Sequence, residues 1–335
     1  MRRRILLAAA LLPATALAQR RRPPRPADLA AIRPDPAMPF APQLAAAFAA
    51  PGRASIVFED PAGDPDRPVI LHGYRPAAHR PEDPVVIVQH GMGRNGDEYR
   101  DFWIEAAERH RLLILAPTFS DAAWPGAAHY NNGFVLAADG TVRPRDRWNY
   151  GVPARVLAAL REAGLTTRIQ ARIFGHSAGG QYLHRLLSTQ PHASFEAATI
   201  GNPGWYTLPT LDRRFPEGMG GIGLGDAEVT ALLSYPLTIL AGEGDIETSG
   251  PSLPSNPEAI AQGPHRFARA RTYFDFGQAA AARHGIACNW RLVPVPHIGH
   301  DGAAMSRCAA SLWFEGRLPP ESTLAHWGRA KAGAL

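Results

Sequence analysis

The chain has 335 residues, of which 45% are hydrophobic and 19% charged, a balance that excludes a disordered chain and leaves ample material for a buried core. Its formal charge of +5 is weighted toward the N-terminus, in Arg2, Arg3 and Arg4 and again in Arg20, Arg21, Arg22 and Arg25, so the remainder is nearer neutral. No stripe of basic residues interleaved with aromatics follows, which argues against nucleic-acid binding, and the only cysteines, Cys288 and Cys308, form no closely spaced pair that holds zinc.

Three arginines precede an apolar stretch from Ile5 to Ala18, and Ala16-Leu17-Ala18 offers small residues where a signal peptidase cuts. Fourteen residues at roughly 1.5 Å each span about 21 Å, short of a ~30 Å hydrocarbon core, so residues 1–18 read as a cleaved signal peptide rather than an anchor. The expected location is exported, periplasmic or secreted, with no stable membrane insertion after cleavage. Arg2-Arg3 also resembles a twin-arginine signal. Residues 19–53, rich in proline, alanine and arginine, read as a linker or loosely docked arm.

A catalytic domain is expected over 54–318, with 319–335 as a tail. It begins with two short strands at 55–58 and 69–71, separated by turn residues and expected to be antiparallel. The run 84–89 is continuously apolar and β-branched up to Gln89, as a strand covered on both faces requires. A helix over 98–110, a strand at 112–116, a helix at 152–163, a strand at 171–175, a helix at 178–187 and a strand at 196–200 continue the alternation. A strand at 237–241, a helix at 266–284, a strand at 289–295 and a helix at 302–315 complete it. Strands alternating with helices predict an α/β fold, a mostly parallel central sheet with helices on both faces. Two interruptions, 119–148 and 201–234, read as loops or small lids. Trp124, Tyr130, Trp148, Tyr150, Trp205 and Tyr206 fall in or beside them, either to line an acyl pocket or to pack on the core. Asn131 and Asn132 either bond substrate or make a turn.

Gly175-His176-Ser177-Ala178-Gly179 joins a strand to a helix. Glycines two places either side of a serine let strand and helix approach around a strained turn that thrusts the hydroxyl outward. A hydroxyl is a poor nucleophile near neutral pH and needs a base; of thirteen histidines, His300 lies just after the strand at 289–295 and before the last helix, with His297 as the alternative. The strand at 237–241 ends in Gly242-Glu243-Gly244-Asp245, where Asp245, or failing it Glu243, can accept the far ring proton of the imidazole. Oxyanion donors are expected from the backbone N–H of Ala178 and from the His90-Gly91-Met92-Gly93 turn, at Met92 or else Gly93.

The His-Gly loop, the G-H-S-A-G-G elbow and the G-H-D ending together resemble the α/β-hydrolase family over roughly 54–316. Within it they are similar to the extracellular esterase and poly(3-hydroxybutyrate) depolymerase branch. That resemblance implies an α/β-hydrolase fold with loop or lid insertions and acyl transfer by Ser177, His300 and Asp245, with no metal or organic cofactor. The implied partner is a small-molecule or acyl-ester substrate. A serine peptidase of the same fold, or a non-catalytic binding protein that keeps it, are the alternatives. In an oxidising compartment Cys288 and Cys308 are expected to bridge, closing a loop around His300, unless they stand as two separate buried thiols.

Overall fold

The computed structural model describes residues 31–332; the expected signal peptide and the arginine-rich start of the arm lie outside the described residues. Eight strands form one open sheet in the order β1-β2-β4-β3-β5-β6-β7-β8. They are β1 (Gly52–Phe58), β2 (Val69–Arg75), β3 (Val85–Gln89), β4 (Leu113–Thr118), β5 (Ala171–His176), β6 (Phe195–Gly201), β7 (Leu237–Gly242) and β8 (Arg291–Val295). The β1-β2 pair is antiparallel, as the turn residues before Val69 anticipate, β2-β4 is antiparallel too, and every pair from β4 to β8 is parallel.

The helices are α1 (Phe40–Ala47), α2 (Gly96–Asp101), α3 (Ile104–His110), α4 (Gly126–His129), α5 (Val152–Glu162), α6 (Ala178–Thr189), α7 (Asp226–Ser234), α8 (Pro257–Ala261), α9 (Arg266–Arg283), α10 (Gly302–Phe314) and α11 (Glu321–Ala332). Side chains of the central strands alternate between two cores. Val85, Ile87, Leu113, Leu115 and Ile173 meet α1, α5, α6, α7 and α9 on one face. Val86, Val88, Ile114 and Phe174 meet α2, α3, α10 and α11 on the other. This double burial is why these strands carry no polar alternation.

Four expectations change. Part of the arm is structured: Ile32 bridges to Ile56, and Leu44 and Phe48 are fully buried against the β1–β2 side of the sheet, because two apolar side chains on one face of α1 outweigh a proline-rich composition. The tail holds α11, whose Leu324 is buried in the second core. The helix expected over 98–110 is two helices, with the chain tightening at Trp103, whose N–H bonds Arg100 O while its ring is buried against Phe174. Finally, Cys288 and Cys308 are free thiols: Cys288 packs in the first core and Cys308 in the second, on opposite faces of the sheet.

Most of the aromatic side chains in or beside the interruptions pack on the core. Trp124, Tyr130, Trp148, Tyr150 and Tyr206 are at most 1% exposed. Tyr130 and Tyr182 stack, as do Tyr206 and Tyr273. Trp205 alone of the six aromatics stays half-buried.

Candidate active site

The strand order reverses at β3, since β4 lies on one side of it and β5 on the other. The crevice beyond the C-terminal ends of strands at such a reversal is where open α/β sheets bind ligands. Two sequence motifs end there together: the register pairs Gln89 with Gly175, so the His90-Gly91 turn and Ser177 leave neighbouring strands side by side.

Ser177 sits between β5 and α6 at φ 57°, ψ −118°, a backbone region costly for a residue with a Cβ. Its N–H bonds Gly201 O at 2.9 Å, and Gln181 N–H returns to its carbonyl at 3.0 Å. The flanking glycines are required by contact: a Cβ on Gly175 would lie 2.2 Å from Gly179 O, and one on Gly179 would lie 2.2 Å from Gln89 O. Only bare Cα atoms let β5, α6 and β3 approach this closely.

Two loops deliver the partners. Asp245 follows β7 and His300 follows β8, adjacent strands whose register pairs Gly242 with Val295. Glu243 N–H bonds Val295 O at 3.0 Å and Gly244 N–H bonds Ile298 O at 2.9 Å, binding the turns together. Asn202, after β6, accepts from Gly242 N–H at 2.8 Å and donates Nδ2 to Gly299 O at 3.0 Å, so it bridges the acid turn to the histidine loop. Asp301 then caps α10, accepting from Ala303 and Ala304 N–H at 2.9 and 3.1 Å.

The result is a chain of hydrogen bonds. His300 Nε2 lies 3.0 Å from Ser177 Oγ, and His300 Nδ1 lies 2.8 Å from Asp245 Oδ2. Asp245 is 1% exposed and His300 24%, so the acid is sealed while the imidazole and serine face outward. His297 is separate from this line, bonding Glu321 at 3.4 Å on the surface, and Glu243 is exposed.

The expected oxyanion donors follow Ser177 in the chain and the end of the neighbouring strand β3. Ala178 opens α6, where first-turn N–H groups have no helical acceptor. Met92 N–H bonds no acceptor among the described residues, and the Met92 side chain is 47% exposed. The turn that carries Met92 is fixed by His90, which is fully buried. Phe119 N–H donates to His90 Nε2 at 3.0 Å, so the proton is on Nδ1, donating to Gly91 O at 2.8 Å. Burial pushes the His90 imidazolium down to a pKa of about 3, which keeps the ring neutral at physiological pH, with the two hydrogen bonds setting its tautomer. Tyr130 stacks on the ring and donates its hydroxyl to His90 O at 2.6 Å, while Arg94, over the Tyr130 face, ties Phe119, Trp124 and Gly126 carbonyls.

Several residues near the site have partners that the sequence did not reveal. His176 is buried beside His300 with ring centroids 4.7 Å apart, and its Nδ1 shares a hydrogen bond of 2.8 Å with Tyr99. Burial, then the neighbouring His300 charge, hold its pKa well below the ordinary range. Arg266, at the first position of α9, approaches Asp245 from behind at 3.3 Å. Asn131 and Asn132 are engaged within the protein: Asn131 Nδ2 donates to Gln181 at 3.1 Å, and Asn132 Oδ1 accepts from Arg185 at 2.8 Å. Among the described residues no cluster of His, Cys, Asp and Glu is arranged to hold a metal ion.

A mostly parallel sheet with helices on both faces and a serine bend at the strand-order reversal defines the class: the chain belongs to the α/β-hydrolase family. It is 54% identical to LpqC, a poly(3-hydroxybutyrate) depolymerase from Bordetella parapertussis, over 87% of this chain and 99% of that one, with a TM-score of 0.85. It is 35% identical to poly(aspartic acid) hydrolase-1 from Sphingomonas sp. KT-1, over 78% of this chain and 98% of that one, with a TM-score of 0.75. No family model and no curated protein matches the chain.

Proposed function

We propose that the protein is an exported serine hydrolase that cleaves carboxylic esters, with Ser177 as nucleophile, His300 as general base and Asp245 as the acid that orients it. The observation carrying this reading is the unbroken line Ser177 Oγ, His300, Asp245 at 3.0 and 2.8 Å at the strand-order reversal. As Oγ attacks the ester carbonyl, Nε2 takes its proton, and the carboxylate stabilises the imidazolium while holding the ring in the productive tautomer. The oxygen that gains charge is met by the N–H groups of Ala178 and Met92 and by the positive end of α6, each well-placed donor lowering the barrier by about 3 to 4 kcal/mol. The imidazolium then protonates the departing alkoxide. Water, activated by the same histidine, hydrolyses the acyl-serine.

Esters of short hydroxyacid chains are the favoured substrate class. The depolymerase at 54% identity supports it, as do the exposed apolar side chains of Met92, within the proposed oxyanion turn, and Ile246, next to Asp245 in the chain. The poly(aspartic acid) hydrolase at 35% identity supports amide hydrolysis as a second reading. A panel of p-nitrophenyl esters, 3-hydroxybutyrate oligomers and aminoacyl anilides separates the two: turnover of oligoesters without anilides is expected, and the reverse pattern would overturn the ester reading. Ser177→Ala is expected to abolish fluorophosphonate labelling; persistent labelling would remove Ser177 from its role. Export is tested by N-terminal sequencing of protein from the culture medium or periplasm, which should begin at Gln19.

A further inference from the structure

The Asp245 carboxylate has two oxygens with different neighbours. Oδ2 meets His300 at 2.8 Å, and Oδ1 faces Arg266 Nη1 at 3.3 Å, with both side chains of the second pair 1% exposed. The other terminal nitrogen of Arg266 is spent on the Ser252 carbonyl and, at 3.2 Å, on Ser252 Oγ. One residue on, Phe267 N–H donates to the Asp245 carbonyl at 3.2 Å, so the first turn of α9 grips both the backbone and the side chain of the acid. Taking a guanidinium out of water is costly, and a buried ion pair roughly breaks even against an apolar pair of the same size. Stability alone is thus a weak reason for an arginine here. A rigid cation on Oδ1 instead stops the carboxylate from rotating and reserves Oδ2 for the imidazole.

We infer that Arg266 is a positioning residue for the Ser177–His300–Asp245 line, fixing the rotamer of Asp245 and placing a permanent positive charge behind the acid and base. The inference rests on the triad proposed above. Other titratable or charged groups act on the pair or on the neighbouring ring: Tyr206 on Asp245, Arg269 on Arg266, and His176, which lies beside His300, bonds Tyr99 on α2 and feels Arg266 and Lys331 on α11; Glu243, His265 and Asp301 adjoin Asp245, Arg266 and His300 in the chain. Among the described residues only Arg266 and His300 bond the Asp245 side chain. Removing the arginine charge favours the protonated imidazole, so the deprotonated base is reached only at higher pH.

The test compares kcat, KM and the pH–rate profile of the full chain on a p-nitrophenyl ester for wild type, Arg266→Gln and Arg266→Lys, each checked by thermal melting. For Arg266→Gln, kcat is expected to fall about tenfold or more with KM nearly unchanged, and the acid limb to move up by about half a pH unit or more. Arg266→Lys keeps the charge but cannot span Asp245 and Ser252 as a planar fork. Its limb is expected at the wild-type position, with a kcat loss of about threefold. Wild-type kcat and limb in Arg266→Gln would overturn the inference, as would a limb in Arg266→Lys displaced as far as in the glutamine variant. Should the neutral variant not fold, Arg266→Lys still decides: wild-type kcat, or a displaced limb, counts against the role. Loss of the triad itself is recognised separately, by Ser177→Ala and His300→Ala retaining turnover.

Discussion

A serine forced to φ 57° holds its hydroxyl where a relaxed backbone would not, and the contacts around it explain why the strain persists. Gly179 permits β3 and α6 to touch, so Gly179→Ala is expected to push the helix away from the oxyanion turn, since a new Cβ would stand 2.2 Å from Gln89 O. Activity and melting temperature should fall together; a fully active Gly179→Ala would show that this close approach is not needed. Asp245→Asn is a harsher change, because an amide can present its N–H to the imidazole and set the wrong tautomer. A kcat loss of about 10⁴ is expected by the behaviour of such acids in other serine hydrolases. It also leaves Arg266 buried without its counter-charge, so the variant should be less stable than wild type in urea titration.

The elements position these residues with a division of labour. Strands β3, β5, β7 and β8 are followed by the His90–Gly93 turn, Ser177, Asp245 and His300 respectively, the residues of the proposed site. The 119–148 segment steadies the first of these, through Tyr130 and the Phe119 N–H on His90. α1 contributes at the far side of the sheet: Leu44 and Phe48 are fully buried there. Leu44→Ala or Phe48→Ala is therefore expected to cost about 2 to 5 kcal/mol, measured as a lower urea midpoint. A free, linker-like arm predicts no change, and a midpoint equal to wild type would restore that description.

Across the whole molecule, buried histidines tie stability to acidity. Burial, aided by Arg100, lowers the pKa of His72 to about 4; burial lowers that of His90 to about 3 and those of His176 and His184 well below the ordinary 6.5. Each is neutral when folded but binds a proton when unfolded below about pH 6.5. The unfolded chain thus holds more protons there, and stability present above that pH is lost as the pH falls. His72 and His90 each contribute a slope of at most about 1.4 kcal/mol per pH unit between 6.5 and their folded values, and His176 and His184 act in the same direction. The urea midpoint should drop from about pH 7.5 to about pH 5, and a flat profile across that window would contradict the burial of these rings.

Much of the fold was legible before any coordinates. The β-branched run at 84–89 and its successors read as doubly covered strands because a two-sided core tolerates no polar alternation, and each lies within a residue or two of its expected place. Ser177, His300 and Asp245 were legible as candidates because glycine spacing and strand ends are local features, and His300 lies within hydrogen-bonding distance of both the others. Asn202, Tyr99 and Arg266 were not, since their partners are distant in the chain and no spacing links them. The same holds for the unpaired cysteines, which only the placement of α9, β8 and α10 on the sheet sends to opposite faces. Sequence alone determined which segments become strand and helix and which side chains have the chemistry to act, because those depend on neighbours along the chain. Tertiary structure decided which of them meet, which aromatics are packed and not presented, and what stands behind the acid, because these depend on contacts closed across long loops.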